Sequence, residues 1–261
     1  MGFGYSNPPE TNIMHNNIHS QGVTEGSATI CPFVPEPDCA LKLSCYPPGT
    51  QGRQRLTAMI ETLFAAAYDA RVSDFCDDLI GLESGNELLG VAGLRRCATD
   101  VRLFSEQYLD APVDQLIHEQ TGQTIARGSI LEIGNLAVNG RGRTRWLFAV
   151  MTAFLHAAGY EWVVCTAISP LISLFRRLGL EPQVLAPADP ARLEGDPSVW
   201  GRYYEQNPQV CFGSISAGYL KMSKAITPRQ PRLRALWLQA QEAGHAYARQ
   251  PTDATLIARQ P

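Results

Sequence analysis

The first sustained pattern of apolar positions is a helical one, over residues 53–68. The apolar stripe consists of Leu56, Met59, Ile60, Leu63, Phe64 and Ala67. Spacings of three and four residues place these side chains on one face of an α-helix. Two apolar runs follow, at residues 79–82 and 88–94, with a short polar turn between them. They predict an antiparallel hairpin, so regular structure begins as helix, strand, strand.

An apolar run that carries one carboxylate predicts a strand over residues 130–138, with apolar side chains on both of its faces. Such a strand belongs in the middle of a sheet that is covered on each side. A basic turn with two glycines follows at residues 139–144, and an apolar helix continues to residue 158. A strand that leads through a glycine turn into a helix N-terminus is typical of phosphate binding.

Shorter patterns complete the domain. A helix begins at Pro112, a second strand covers residues 162–167, a short helix ends near Leu178, and a last apolar run covers residues 209–212. Residues 1–50 are rich in Asn, Pro, Gly and Ser and predict an extended or partly disordered N-terminal arm. We therefore expect an α/β domain over residues 51–217. Residues 218–261 predict a basic helical C-terminal tail.

Charge and cysteine content narrow the class of protein. The net charge of -3 divides into about -3 for residues 1–50, about +5 for residues 213–261, and about -5 for the rest. An acidic centre argues against a nucleic-acid-binding core and leaves the C-terminal segment as the basic surface. Seven cysteines form no CxxC pair, and Cys31, Cys39 and Cys45 fit no common zinc spacing, so we expect no metal. The chain shows no leader pattern and no apolar run of membrane-spanning length, which predicts a cytoplasmic protein with reduced thiols.

The order helix, hairpin, helix, long strand, glycine turn, helix, strand, helix, strand resembles that of the GNAT N-acyltransferases. In that superfamily the long strand ends in Ala-Val, as residues 137–138 do here, and a Gln/Arg-x-x-Gly-x-Gly/Ala turn holds the pyrophosphate of the acyl carrier. The turn at residues 139–144 matches it in part, with Asn139 at the first position and Thr144 at the last. The superfamily's Phe-Tyr-x-x-Leu-Gly-Phe segment is similar to residues 174–180, where Phe175 replaces the tyrosine that often protonates the leaving thiolate.

A longer resemblance covers most of residues 53–218. Four blocks, at residues 103–110, 132–137, 175–182 and 200–204, resemble the thermostable hemolysin family. That family is GNAT-like and similar to the acyl-homoserine-lactone and N-acyl-amino-acid synthases, which load acyl groups from acyl carrier protein. The resemblance implies a GNAT-like fold, with a mixed central sheet and helices on both faces.

Two carboxylates and an amide are the catalytic candidates that the resemblance implies. Glu132 matches the strand carboxylate of the superfamily, which accepts a proton from the attacking amine. A carboxylate in an apolar strand is costly unless it is paired, so the alternative is a buried carboxylate bound to Arg95 or Arg127. Glu106 lies in the 103–110 block and either binds the substrate or anchors that segment. Asn135 either satisfies the backbone beside the thioester or is a core amide.

The remaining candidates bind the donor or the acceptor. The expected donor site consists of Leu136, Val138, Asn139, Arg141, Gly142, Arg143 and Thr144. The expected acceptor site consists of Tyr108, Arg95 and Phe104. Cys165 lies in the second strand, where we expect a small buried residue rather than a nucleophile.

The sequence thus predicts an acyltransferase that uses acyl-CoA or an acyl-phosphopantetheine on acyl carrier protein, with a small amine as acceptor, such as an amino acid. The basic tail is the expected docking surface for an acidic carrier protein. An aminoacyl-tRNA donor stays open, as does the oligomeric state. Two alternatives come from other classes: a membrane-active hemolysin, and a GNAT-fold binding protein with a degraded site.

Overall fold

A seven-stranded mixed sheet organises the chain. The computed structural model describes residues 40–98, 100–140, 142–226 and 230–249. The strands are β1 (Leu41–Tyr46), β2 (Asp78–Ser84), β3 (Glu87–Arg96), β4 (Ile130–Val138), β5 (Trp162–Ala167), β6 (Gln183–Pro187) and β7 (Gln209–Ser214). The helices are α1 (Arg53–Tyr68), α2 (Val113–Thr121), α3 (Arg143–Ala157), α4 (Ser169–Arg177), α5 (Ile215–Ala225) and α6 (Pro231–Ala248).

The strand order is β1-β2-β3-β4-β5-β7-β6, which places β4 in the middle as its two apolar faces predict. The β4–β5 pair is parallel, whereas the other neighbouring strands are antiparallel. Its register runs from Ile130 opposite Trp162 to Ile133 opposite Cys165 and ends there. Beyond this point β5 continues beside β7, so β4 and β5 diverge.

A bulge in β4 marks the start of this divergence. Gly134 lies opposite Gly93 and Ala137 lies opposite Val91, so the register with β3 shifts between them. Asn135, inside the bulge, has a left-handed backbone with φ of 46°. Asparagine tolerates that region better than most residues, because its side chain can hydrogen-bond locally. The bulge therefore turns β4 away from its ladder at the middle of the sheet.

Helices cover both faces of the sheet. Leu131 belongs to the core that contains α3 and α6, whereas Ile130, its neighbour in sequence, belongs to the core that contains α2. A further core packs α1 against β3 and β4. These layers confirm the mixed sheet between two helical layers that the sequence predicts.

The sequence-based boundaries need correction at both ends. Residues 41–46, assigned to the arm, form β1 and pair with β2. This edge strand depends on α6, where Gln239 Oε1 accepts a hydrogen bond from the Leu43 N–H at 2.9 Å. The boundary at residue 218 falls inside α5. Leu236 and Trp237 of α6 are buried in the core, so the described part of the tail belongs to the domain. Residues 1–39 and 250–261 lie outside the described residues.

A polar contact fixes the end of α6 to the hairpin. The Tyr247 hydroxyl donates to Asp78 Oδ2 at 2.6 Å, and Arg96 Nε donates to the same hydroxyl oxygen at 2.9 Å. The Arg96 guanidinium also lies over the Tyr247 ring, 4.1 Å from its centroid. Asp78 and Tyr247 are buried, and each satisfies the other in a setting where an unpaired polar group would be costly.

Candidate active site

A cavity of about 370 Å³ opens where β4 and β5 diverge, and residues from both faces of the sheet line it. We call its two parts the apolar half and the aromatic half. The apolar half is lined by Phe148, Met151, Leu155, Leu171, Phe175, Leu180, Ile215 and Gly218. The aromatic half is lined by Phe64, Tyr68, Phe104, Tyr108, Trp200, Tyr203 and Tyr204, together with Asp74, Arg95 and Glu132. A volume of this size is typical of a small-molecule site.

The apolar half lies between the sheet and helices α3 to α5. Phe148 and Phe175 meet edge to face, with ring centroids 4.8 Å apart. The Thr152 hydroxyl donates to the Phe148 carbonyl oxygen at 2.8 Å, which satisfies that polar group inside an apolar wall. A Cβ on Gly218 would lie 2.7 Å from Leu180 Cδ2, so the glycine lets α5 approach the wall closely.

The aromatic half is built by two segments that are distant in sequence, Phe104–Tyr108 and residues 200–204. Residues 104–108 form one short 3₁₀ turn, and a second short 3₁₀ turn begins at Tyr203. Phe104 packs on Trp200 with ring centroids 5.7 Å apart, and Tyr203 packs edge to face on Tyr68 at 5.2 Å. The Tyr108 and Tyr204 hydroxyls lie 2.5 Å apart and share a hydrogen bond. Two of the four sequence blocks thus meet in one wall.

Gly201 permits the wall to close against α1. Its φ of 52° and ψ of -123° suit glycine, and a Cβ would lie 2.1 Å from the Tyr68 carbonyl oxygen. Two backbone hydrogen bonds join the segments here. Arg202 N–H donates to Tyr68 O at 2.7 Å, and Arg71 N–H donates to Val199 O at 2.6 Å.

Glu132 lies in the cavity wall and is 4% exposed. Its carboxylate accepts hydrogen bonds from the backbone N–H groups of Phe104 at 2.9 Å and Ser105 at 2.7 Å. Arg95 Nη1 lies 3.6 Å from Oε2, so one of the two predicted arginine pairings is present. Burial raises the pKa of Glu132 above its ordinary value, although the charge of Arg95 and the two N–H groups oppose the rise. The group both anchors the 104–108 segment and reaches the cavity.

Glu106, a catalytic candidate from the sequence, is held here as an anchor of its segment, the other role that the sequence left open. One oxygen accepts from Leu103 N–H and Arg127, and the other accepts from Val113 N–H and Arg127, at 2.7–2.9 Å. Burial alone would raise the pKa of Glu106, but the hydrogen bonds from Arg127 and from the backbone bring it below its ordinary value. Its acceptor positions are filled, and it is not among the described residues that line the cavity.

Asn135 lines the cavity but uses both ends of its amide elsewhere. Oδ1 accepts from Cys76 N–H at 2.8 Å, and Nδ2 donates to the Asp74 carbonyl oxygen at 3.1 Å. The side chain therefore holds the loop after α1 against the bulge. It is a positioning residue here rather than a group free to act on a substrate.

The loop that Asn135 holds brings Asp74 to the cavity, a residue that the sequence reasoning did not select. Asp74 Oδ2 accepts from Arg95 Nη2 at 3.2 Å, and its side chain is 60% exposed. Arg95 itself is 16% exposed, and its guanidinium lies 5.8 Å from the Phe104 ring centroid. Tyr108, Arg95 and Phe104, the residues that the sequence predicts for the acceptor site, all lie in the cavity wall.

The residues predicted to bind the donor, in and before the glycine turn, lie in different settings. Arg141 lies outside the described residues. Arg143 donates to Glu87 Oε1 at 2.8 Å and to the Asn139 carbonyl oxygen at 3.2 Å, so its side chain folds back across the turn. Val138 is buried in the core, which leaves its backbone as the part that can face a ligand. Leu136 lines the cavity.

The start of α3 keeps the features of an anion site. Gly142 at the N-cap has a left-handed backbone with φ of 76°, no side chain caps the helix, and its first turn carries no acid. Uncapped N–H groups and the helix dipole favour an anion here. Thr144 lies in this first turn. Asn139 instead donates its N–H to Leu89 O at 2.9 Å, which ties the turn to β3.

Cys165 lies in the wall where β4 and β5 diverge, opposite Cys211 of β7. Cys165 is half-buried against the cavity rather than fully buried as expected. Desolvation raises its pKa well above the ordinary value, which favours the thiol over the nucleophilic thiolate. No group of three metal-ligating side chains occurs among the residues described. Within the same residues, no helix is both long and apolar enough to cross a membrane.

The missed residues Phe64, Tyr68, Trp200, Tyr203 and Tyr204 complete the aromatic half. The signal that could have found them is the Trp200-Gly-Arg-Tyr-Tyr204 block, because three large aromatic side chains so close in sequence favour packing against other rings. In α1, Phe64 belongs to the predicted apolar stripe, and Tyr68 extends it by one turn. Their burial alone does not distinguish a cavity wall from a core.

The strand order and the divergence of β4 and β5 define a GNAT-like fold with a cavity that crosses the sheet. The family model described as thermostable hemolysin matches residues 46–219. The protein therefore belongs to the thermostable hemolysin family. No curated protein matches the chain significantly.

Several solved structures are similar at low identity. The AHL synthase LasI is 9% identical, with 72% of this chain and 98% of that chain covered and a TM-score of 0.48. FeeM, an N-acyl amino acid synthase from uncultured soil microbes, is 10% identical, with coverages of 67% and 89% and a TM-score of 0.42. A putative N-acetyltransferase from Lactobacillus plantarum is 13% identical, with coverages of 67% and 99% and a TM-score of 0.40.

Proposed function

We propose that the protein is an N-acyltransferase, which moves an acyl group from a phosphopantetheine thioester to an amine. The observation that carries this proposal is the cavity at the divergence of β4 and β5. Its apolar half offers a dry wall for an acyl chain, and its aromatic half offers a buried carboxylate to an amine. The two halves meet beside Glu132, where a thioester carbonyl and an amine would come together.

The backbone at the start of α3 and in the β4 bulge is the part of the described site that would hold the donor. The uncapped start of α3 favours a phosphate of the phosphopantetheine or of coenzyme A. The β4 bulge leaves residues 135–136 outside both neighbouring ladders. Their N–H groups are the candidates to stabilise the oxyanion that forms as the carbonyl is attacked.

One general base is enough for the proton transfers of this reaction. The amine nitrogen attacks the thioester carbonyl carbon, the C–S bond breaks and an amide forms. Glu132 takes the proton that the amine loses, and the thiolate leaves and takes a proton from Glu132 or from water. A carboxyl whose pKa is raised by burial is better matched to this transfer than an exposed one. Phe175 keeps the place of the usual tyrosine apolar.

Acyl carrier protein and coenzyme A share the phosphopantetheine arm, and the same assay compares them. The purified protein is given each acyl donor with a mixture of amines, and free thiol and amide product are measured. Glu132→Gln is expected to lower the rate by a factor of about 10² to 10⁴, the usual contribution of a general base. The exposed Glu119→Gln of α2 serves as the matched control.

Glu132 is also an anchor, so the folding of the variant is measured by thermal unfolding. If Glu132→Gln does not fold, the pH–rate profile of the wild type decides. The rate should fall as pH drops through the pKa of Glu132, which burial holds above the usual carboxyl value. Rates of the folded variant near those of the wild type would remove Glu132 as the base. Failure to turn over or bind any thioester would favour the binding-protein alternative.

A further inference from the structure

The aromatic half contains two carboxylates and one guanidinium. Arg95 already contacts both acids, with Nη2 3.2 Å from Asp74 Oδ2 and Nη1 3.6 Å from Glu132 Oε2. The other described charges in the cavity wall, Glu181 and Lys221, form a salt bridge with each other on the opposite side of the sheet. The aromatic half therefore carries no uncompensated positive charge, whether Glu132 is ionised or protonated.

The uncharged part of the same wall also favours a cation. Seven rings line it: Phe64, Tyr68, Phe104, Tyr108, Trp200, Tyr203 and Tyr204. Aromatic faces carry negative potential and attract ammonium and guanidinium groups within about 6 Å of the ring centroid. Arg95 illustrates the preference, since its guanidinium lies over Phe104.

An acceptor that carries a carboxylate would meet unfavourable contacts here. At the Arg95 guanidinium it would compete with Asp74 for Nη2, or it would lie beside Glu132 at Nη1. Like charges in a partly buried site repel strongly, and a desolvated carboxylate without its own partner is costly. Discrimination of this kind depends on repulsion as much as on attraction.

We infer that the acceptor is a cationic amine without a carboxylate: a diamine, a polyamine, or an amine that also bears a guanidinium or quaternary ammonium group. The nucleophilic nitrogen lies toward Glu132, and the second cation lies between Asp74 and the ring faces. This inference rests on the proposed function and specifies its second substrate. It excludes free amino acids as the preferred acceptors.

Three acceptors of similar length test the charge requirement. 1,4-Diaminobutane has a second ammonium, n-pentylamine has a methyl group in its place, and 5-aminopentanoate has a carboxylate. With one acyl donor, kcat/KM is expected to fall in that order, by about tenfold for each step, as for a charge pair in a half-buried site. Asp74→Asn should bring the diamine-to-pentylamine ratio close to one. Asp77→Asn, an exposed residue of the same loop outside the cavity wall, should keep the ratio.

Acceptor binding measured without an acyl donor separates the acyltransferase proposal from the inferred preference for a cationic acceptor. The diamine should raise the melting temperature of the wild type more than that of Asp74→Asn, and 5-aminopentanoate should raise neither. Faster acylation of 5-aminopentanoate than of the diamine would overturn the inference and leave the acyltransferase in place. If no acceptor is acylated, the proposed function fails. A larger melting shift with 5-aminopentanoate than with the diamine would then overturn the inference as well.

Discussion

Replacing Gly201 by alanine should open the junction between α1 and the 200–204 segment. The new Cβ would lie 2.1 Å from Tyr68 O and 2.6 Å from Asp69 O, and both are backbone atoms that cannot rotate away. A non-glycine residue in this backbone region costs roughly 1–3 kcal/mol. The two backbone hydrogen bonds that join the segments, from Arg202 and Arg71, are worth about 0.5–1.5 kcal/mol each. The free energy of unfolding should fall by about 2–6 kcal/mol.

Urea denaturation and thermal unfolding of the purified variants measure this loss. A change of that size corresponds to a melting temperature lower by roughly 5–20 °C for a domain of this size. Gly195→Ala is the matched control for backbone strain, because Gly195 has a φ of 115° and open space around its Cβ position. Gly128→Ala has neither strain nor a close neighbour and should be nearly neutral. If Gly201→Ala were no less stable than Gly195→Ala, the steric argument would be refuted.

Three other changes test the anchors and the cavity. Arg127→Met leaves Glu106 buried without its main partner and should cost about 3–5 kcal/mol at pH 7 in urea denaturation. The pKa of Glu106 is lowered in the folded protein, so its contribution to the free energy of unfolding is present above the unfolded carboxyl pKa and is lost as pH falls through the folded value. The free energy of unfolding of the variant should therefore fall less steeply with acid than that of the wild type. An equal pH dependence in the two proteins would contradict this. Asn135→Gly should be more stable than Asn135→Ala by about 1 kcal/mol, since both lose the loop contacts but only alanine is strained at φ of 46°; equal stabilities would argue against strain. Gly218→Leu fills the apolar half beside Leu180 and should shift the preferred acyl chain to shorter lengths in a panel of acyl donors. An unchanged chain-length preference would show that the acyl chain does not lie in this half.

Much of the fold is local enough to be predicted from the sequence. The observed bounds of α1, β4 and β5 agree with the predicted ones, because a helical stripe and a strand with two apolar faces are each properties of a single segment. β1 and β6 were missed because they are edge strands. β1 depends on contacts with α6, nearly 200 residues away, and β6 ends at Pro187, which an edge strand tolerates.

The site was predictable to a lesser degree. Glu132 and Glu106 are both carboxylates in the family blocks, and sequence does not tell which one faces the cavity. That depends on the 3₁₀ turn of Phe104–Tyr108, which directs its first N–H groups to Glu132 and encloses Glu106 with Arg127. Asp74 was missed because a loop residue of that kind is placed by the Asn135 amide, a contact across about 60 positions of sequence.

The two arginines at the end of β3 set a limit on how this strand can change. Arg95 contacts Glu132 on one face of the sheet, and Arg96 contacts Tyr247 of α6 on the other. Neighbouring residues of a strand alternate between faces, so inserting or deleting one residue in β3 would exchange the two guanidiniums. A single such insertion or deletion would separate both Glu132 and Asp78 from their arginine partners. Over evolutionary time β3 should therefore keep its number of residues fixed.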